Sequence, residues 1–530
     1  MMNNIVHCCI LIITIRRVLV SNITVFLDNN ALIYNRPTVV APSEGLELTF
    51  GDLLAGMSRT ARALESQGVR KGDRVCIYLD SCSEYLTSYF AVWRLGAVAV
   101  PANSSLREDE LLHLVTDAGA RILLCDESGA AVAAVAARRS AGNCSVLNIS
   151  HVKTTPESEG VVPPVNCGLD DLIQLQYTAG TTGTPKGAML THGNLMESLD
   201  TEREVLGLTG NDRYLGIYPM GHVGVSWGLS VLRSGGTYVI MKRFSPAEYI
   251  ALCKTYRITV LSGMPPVIHS LCNAPEGTEE ALSTVRLIIS GGGQLLPTVW
   301  EAFDLRYGIP VANAYGLSET VVVGTGTITL PGRPELTGNY TSVGVPAGYS
   351  EVKIVDPEDP RESLPSGEDG EIALRGPSVA KGYWNLPGAT AESFLPDGWF
   401  LSGDIGHLDR RGLLYITDRK KDMIIMSGWK VYPTEVENVL LKHPAVMDAA
   451  VFGYPDERRG EIPVAVIVLR EGKILDRDDL IAFCRERMAG YKVPRGIILT
   501  GSLPRVHGWK LLRRRLREEF SGSLAGEDLS

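Results

Sequence analysis

Between Val75 and Val311, short apolar runs rich in β-branched residues alternate with stretches whose apolar positions recur at helical spacing. Strands are predicted at 75–79 (VCIYL), 121–125 (RILLC), 173–177 (IQLQY), 237–241 (TYVIM), 285–290 (VRLIIS) and 310–315 (PVANAY). Helices are predicted at 83–96, at the Ala-rich 130–138 and at 245–256. This rhythm predicts doubly wound α/β sheets, whose ligands sit at the carboxyl ends of the strands. From Thr341 to Tyr415 the pattern shifts to short strands broken by Gly and Pro, a β-rich, barrel-like subdomain. After Lys421, helices at 434–442 and 476–488 and strands at 448–453 and 463–469 predict a small α+β domain, carried on the polar link Asp418-Arg419-Lys420-Lys421-Asp422. The expected class is therefore α/β, with a large N-terminal domain over 22–418, a hinge at 419–421 and a small mobile α+β C-terminal domain over 422–530.

Residues 1–21 stand outside this pattern. Ile10 to Ile15 is too short to cross a bilayer, and Arg16 and Arg17 follow the apolar run where a secretory signal would carry its charge before it. A non-family extension is expected there, with a membrane-touching segment as the alternative.

Composition narrows the function. A chain of 530 residues holds several domains, and 51 Lys+Arg against 60 Asp+Glu give a net charge of −9, which disfavours nucleic acid as a partner. The ten cysteines are scattered with no CxxC pair, which fits neither a disulfide framework nor a zinc module. A reducing compartment, the cytoplasm, is expected.

Strand 173–177 runs straight into Thr178-Ala179-Gly180-Thr181-Thr182-Gly183-Thr184-Pro185-Lys186-Gly187. Glycines let backbone N–H groups approach phosphate oxygens, the hydroxyls of Thr178, Thr181, Thr182 and Thr184 add donors, and Lys186 adds a cation. The spacing is not that of a Walker loop. The cluster specifies an oligophosphate ligand without specifying a reaction.

With this loop, the segments Tyr315-Gly316-Leu317-Ser318-Glu319-Thr320, Gly398-Trp399-Phe400-Leu401-Ser402-Gly403-Asp404 and Asp418 to Asp422 occur in an order that resembles the acyl-adenylate-forming, AMP-binding superfamily. Within it, Ser427-Gly428-Trp429-Lys430-Val431-Tyr432-Pro433-Thr434-Glu435 resembles the CoA-side segment of fatty-acyl and aryl synthetases. The resemblance implies an ATP-dependent acid–thiol ligase. ATP converts a carboxylate to an acyl-AMP with release of pyrophosphate, and coenzyme A then displaces AMP.

It also implies residue roles. Mg²⁺ lies near Glu319 and the α-phosphate near Thr320, while Lys186, Gly180 and Gly183 serve the phosphates with the loop threonines. Tyr315 stacks on adenine beside Gly291, Gly292 and Asn313, and Asp404 and Arg419 hold the ribose. His222 borders the acyl pocket, and Gly428, Trp429 and Lys430 lie on the CoA side. Lys510 bridges carboxylate and α-phosphate during adenylation, and Lys421 is the pivot between half-reactions. The chain departs from the family at Trp509, where glycine is usual, and at Ala179, where serine is usual. Gly316 leaves the acyl pocket open, and Val223, Gly224, Trp227, Val322 and Val323 make it apolar. These features point to a medium or long, branched or aryl acid. An amino-acid-adenylating enzyme is disfavoured because Gly221 to Ser226 contain no carboxylate to hold a substrate amine. A catalytically weak adenylate-binding protein, motivated by Trp509 and Ala179, is the remaining alternative. The run Arg513 to Arg517 reads as a solvated helix face, with lipid or CoA-phosphate contact as the lesser reading. A homodimer and peripheral membrane contact are compatible with the sequence.

Overall fold

The computed structural model describes residues 22–140, 144–153, 160–178, 184–321, 324–327, 339–456, 458–506, 510–511 and 513–520. Contacts divide the chain into two compact units: residues up to Val352 with Leu374–Phe400, and Lys353–Ala373 with everything from Leu401 onward.

Two sheets build the first unit. One has nine strands, at its centre the parallel neighbours Val311–Tyr315, Leu287–Ser290, Val260–Ser262, Arg213–Gly216, Thr237–Ile240 and Val39–Ala41. The other has six, in the order Ser145–Asn148, Ile122–Cys125, Arg74–Leu79, Val98–Asn103, Leu172–Thr178 and Lys186–Thr191, parallel except for the last pair. Alternation along a strand sends its two faces into different cores. Val75, Ile77 and Leu79 enter a core shared with Tyr214, Tyr238 and Ile240 of the larger sheet, whereas Cys76 and Tyr78 enter one covered by helices Glu108–Ala118 and Ala130–Arg139. Helices therefore cover both faces of the sheets, and the doubly wound expectation holds.

Helix His192–Val205 lies in the shared core. Thr191 and Asn194 start it with a reciprocal capping box, which satisfies backbone donors left open at a helix start. The Asn194 amide also donates to the carbonyls of Pro377 (2.7 Å) and Val379 (2.9 Å), which ties the helix to the segment leading into Tyr383.

One carboxyl breaks the apolar character of this core. Glu202 is fully buried and takes hydroxyl hydrogen bonds from Ser226 (2.7 Å) and Ser230 (2.6 Å) on the neighbouring helix Ser226–Arg233. Burial, only partly offset by the two serines, pushes its pKa from an ordinary 4.5 up to about 8.

The second unit holds a four-stranded sheet in chain order, Glu351–Val355, Gly370–Arg375, Phe400–Leu408 and Leu414–Arg419, and a five-stranded sheet built on the long hairpin Val446–Asp456/Gly460–Leu469. Helices Pro433–Leu440 and Arg477–Arg485 pack on one face of the five-stranded sheet, and Leu516 of helix Arg513–Phe520 packs on the other. No break in contacts falls at 418–422, where the sequence places the domain boundary. Asp418 accepts the Thr434 N–H at 2.7 Å, so the link is fastened to the helix that follows it. Arg513 corrects the reading of its run as a solvated face: its guanidinium is largely buried, bonded to both Glu437 oxygens and to the Val451 carbonyl (2.9 Å). Among the described residues no helix is long and apolar enough to cross a membrane.

The Glu202 carboxyl gives a pH-dependent stability with a definite sign. The unfolded chain loses this proton near pH 4.5 and the folded chain near pH 8, so the contribution is full below 4.5 and is lost as pH rises to 8. Melting of wild type and Glu202→Gln at pH 5 and pH 8 should show wild type losing on the order of 3 kcal/mol relative to the variant. Equal changes in the two proteins would refute the buried neutral carboxyl.

Candidate active site

Several expected site residues converge on one edge of the nine-stranded sheet. Strands Arg213–Gly216, Leu287–Ser290 and Val311–Tyr315 are parallel, and their carboxyl ends lead to Tyr218–His222, to Gly291 and Gly292, and to Gly316–Thr320. Asn313 pairs in register with Ser290, which sets the glycines beside the strand that ends at Tyr315. A Cβ on Gly291 would sit 3.4 Å from the Ala314 carbonyl oxygen, an ordinary contact. Tyr218 closes this corner, its hydroxyl donating to the Gly291 carbonyl at 3.3 Å. The Asn313 amide is engaged by the Ser342 carbonyl at 3.4 Å.

Glu319 and Thr320 form a single 3-10 turn after this strand. The Thr320 hydroxyl accepts the Leu317 N–H at 3.0 Å and so fastens the turn. Val321 follows with φ +49, a left-handed conformation that a β-branched residue adopts only under constraint. The constraint is visible: the Ser198 hydroxyl of helix His192–Val205 donates to the Val321 carbonyl at 2.8 Å.

Glu319 is 6% exposed, and its Oε1 accepts the phenolic proton of Tyr383 at 2.8 Å. Burial first, and then the Glu319 charge, raise the Tyr383 pKa, so the phenol is a neutral donor. Lys186 lies over the Tyr383 ring, Nζ 5.0 Å from its centroid. Lys186 and Glu319 are thus brought to one place through a residue that the sequence reading missed. The signal was the loop Gly382-Tyr383-Trp384-Asn385, where an aromatic pair sits between two residues with positive φ.

Thr178 and Lys186 are register partners at the end of an antiparallel pair, so the ladder itself closes the phosphate loop. His113 Nε2 lies 3.1 Å from the Pro185 carbonyl, and the Tyr177 hydroxyl donates to Asp117 at 2.6 Å. Thr184 begins the described part of the returning arm. Gly180, Thr181, Thr182 and Gly183 lie outside the described residues, as do Val322 and Val323.

His222 is exposed, with Nδ1 accepting the Gly224 N–H at 3.0 Å and the ring stacked on Tyr218 at 6.1 Å. It caps the turn that leads into Trp227 and is not a core histidine. Val223 and Trp227 are each 5% exposed, and a Cβ on Gly224 would meet the Tyr218 ring at 2.9 Å.

In the second unit, Asp404 and Arg419 face each other across adjacent strands, with Asp404 Oδ1 2.9 Å from Arg419 Nε. Asp404 is buried to 4% exposure, which leaves a carboxylate and a guanidinium as one preorganised polar pair. Lys421 sits in the 3-10 turn Lys420–Asp422, and its ammonium is held below the usual lysine range chiefly by burial. Ser427 and Gly428, at φ +50 and +84, make the two-residue turn between Ile424–Met426 and Trp429–Val431. That turn holds Trp429 60% exposed and stacked on Tyr491 at 5.0 Å, with Lys430 beside it. Lys510 pairs with Val506 in a short ladder, and Trp509 lies outside the described residues.

Among the described residues no cluster of three or more His, Cys, Asp or Glu could cage a metal ion. The donor set suits Mg²⁺ nonetheless, because that ion is commonly held by one or two carboxylates with substrate phosphates and water.

Residues 25–384 match the AMP-binding enzyme family, and 435–508 match the AMP-binding enzyme C-terminal domain. A feruloyl-CoA synthase from an Amycolatopsis species is 37% identical over 479 residues, covering 90% of this chain and 94% of the relative. ATP-bound MatB from Rhodopseudomonas palustris superposes with a TM-score of 0.86 at 30% identity, covering 94% of this chain and 99% of that one. The o-succinylbenzoate CoA synthetase MenE from Bacillus subtilis, in complex with its acyl-adenylate intermediate, gives 0.83 at 32% identity, covering 94% and 98%. With both family models matched in order and relatives aligned over nearly their whole length, this chain belongs to the AMP-binding enzyme family, in its acyl-CoA synthetase branch.

Proposed function

We propose that this AMP-forming acid–CoA ligase acts on a carboxylic acid with an aryl or branched body, through the residues assembled at the strand ends of the first unit. The observation that carries the reading is Glu319: a buried carboxyl at a strand end that accepts the Tyr383 phenol at 2.8 Å, with Lys186 over the same ring. A substrate carboxylate and a triphosphate repel each other, so their reaction needs cationic help. Mg²⁺, held by Glu319 with phosphate oxygens, would supply charge neutralisation there. Lys186 and the loop from Thr178 to Thr184 bind the outer phosphates, and Thr320 lies beside the α-phosphate. Tyr315, with Gly291, Gly292 and Asn313, receives the adenine, and Asp404 with Arg419 receives the ribose. His222 borders the reacting carboxylate, and the substrate body extends between Gly316, Val223, Gly224, Trp227, Val322 and Val323. The apolar, buried wall at Val223 and Trp227 and the similarity to a feruloyl-CoA synthase favour the aryl class. A panel of acids assayed for CoA-dependent AMP release should show aryl acids turning over and acetate poorly. Release of AMP with acetate alone would overturn the substrate reading.

Lys510 is proposed to bridge the carboxylate and the α-phosphate in the first half-reaction only. Lys510→Ala should lower acid-dependent exchange of pyrophosphate into ATP by about 100-fold or more. Thioester formation from supplied acyl-AMP should fall far less; equal losses would refute the role.

Lys421 is proposed as the pivot, because cation and thiol must reach the same carbonyl carbon in turn and a short polar link lets one domain rotate between the steps. Proline fixes φ at about −65°, so Lys421→Pro restricts the backbone rotation that a pivot needs. Adenylation should persist while CoA-dependent release of product slows sharply, when the two half-reactions are timed separately. Unchanged rates in both would remove Lys421 from the role.

A further inference from the structure

Helix Glu108–Ala118 supplies none of the residues expected around the nucleotide, yet its last two turns hold the stems of two loops that do. A helix leaves its last four carbonyls without intrahelical partners. Here each is taken. The carbonyls of Val115 and Thr116 accept the Ala120 and Gly119 N–H groups in a turn closed by Gly119 at φ +59, and Arg74 Nε donates to Ala118 at 2.7 Å. The Asp117 carbonyl goes to the loop after Gly382. Trp384 Nε1 donates to it at 3.0 Å and Asn385 Nδ2 at 2.9 Å, which uses both of its lone pairs. These two residues follow Tyr383, whose hydroxyl reaches Glu319.

Side chains of the same turns hold the phosphate loop. Its ladder ends at the pair Thr178–Lys186, and Pro185 has no N–H with which to extend it. The Pro185 carbonyl turns instead to the helix, where His113 Nε2 lies 3.1 Å away. A carbonyl only accepts, so this nitrogen carries the proton. On the outgoing arm the Tyr177 ring packs against Gly187, where a Cβ would meet it at 3.1 Å, and the Tyr177 hydroxyl donates to Asp117 Oδ2 at 2.6 Å. His113 and Asp117 are four residues apart and so share one helix face. The His113 ring also meets the Tyr177 ring edge to face at 6.1 Å. One further bond joins the two loops directly: the Trp384 N–H donates to the Gly187 carbonyl at 2.8 Å.

We propose that the end of helix Glu108–Ala118 is a clamp that sets the separation of the Lys186 arm from the Glu319 turn, with His113 and Asp117 as positioning residues for the first half-reaction. Lys186 serves the outer phosphates and Glu319 the metal that those phosphates share, so the two must be held at a fixed separation before ATP arrives. The clamp supplies this by bonding both loops through the same stretch of helix. Neither His113 nor Asp117 touches the reacting atoms. Once pyrophosphate has left, the phosphate loop has no further task, and the second half-reaction proceeds without the clamp. The inference rests on the ligase reading above.

The test uses the full-length protein with an acid that it activates, and times the half-reactions separately. His113→Phe keeps a flat ring against Tyr177 and removes the donor to Pro185, whereas Trp384→Phe removes the donor to Asp117. Each should raise the KM for ATP in acid-dependent pyrophosphate exchange by about tenfold, the scale of one lost hydrogen bond, with thioester formation from supplied acyl-AMP within about twofold of wild type. His113→Gln, which keeps an N–H donor, should recover most of the affinity. Because one clamp serves both loops, the double variant should lose much less than the product of the two single losses. Tyr177→Phe replaces either variant if that does not fold, and carries the same expectation. Equal losses in both half-reactions, an unchanged KM for ATP, or losses that multiply in the double variant would overturn the inference with the ligase reading intact. No CoA-dependent AMP release by wild type with any acid would remove that reading, and this inference with it.

Discussion

The hydrogen bond from Tyr383 to Glu319 imposes the constraint around which the strand-end site is arranged. A buried carboxyl must be satisfied, and the Tyr383 phenol supplies one of its hydrogen bonds. This demands that the 382–385 loop reach Glu319, which the Asn194 amide supports by bonding the carbonyls of Pro377 and Val379. It demands too that the turn after Val311–Tyr315 be held tightly, which Thr320 and Ser198 do from either side of a strained Val321. Helix His192–Val205 is common to both supports, and the same helix carries Glu202.

Strands Arg213–Gly216, Leu287–Ser290 and Val311–Tyr315 bring the residues expected around the nucleotide to a shared edge, and helices His192–Val205 and Ser226–Arg233 pack in the core shared by the two sheets. The second unit, taken by itself, holds a preformed Asp404–Arg419 pair, an exposed aromatic at Trp429 and a turn at Lys420–Asp422.

Much of this was legible in the sequence because it is local. The phosphate loop is a contiguous cluster, its strand was predicted to within a residue, and Glu319 follows a strand that ends at Tyr315 as expected. What escaped was non-local or against type. Val98–Asn103 lies in the middle of a sheet yet contains Pro101, a residue that argues against a central strand. Val39–Ala41 joins strands some two hundred positions later in the chain, which no local pattern announces. Tyr383 is a loop aromatic whose role exists only when the fold brings it to Glu319. Arg513 resembles Arg515 in a basic run, and only the fold shows that the first is buried against Glu437 and the second exposed.

The central proposal is that the Glu319 carboxyl helps hold Mg²⁺ in the first half-reaction. Its most direct test is acid-dependent exchange of labelled pyrophosphate into ATP by Glu319→Gln, measured across a range of Mg²⁺ concentrations. The account predicts a loss of about 100-fold or more, eased as Mg²⁺ rises, with thioester formation from supplied acyl-AMP far less affected. Exchange at the wild-type rate and with the wild-type Mg²⁺ dependence would contradict it.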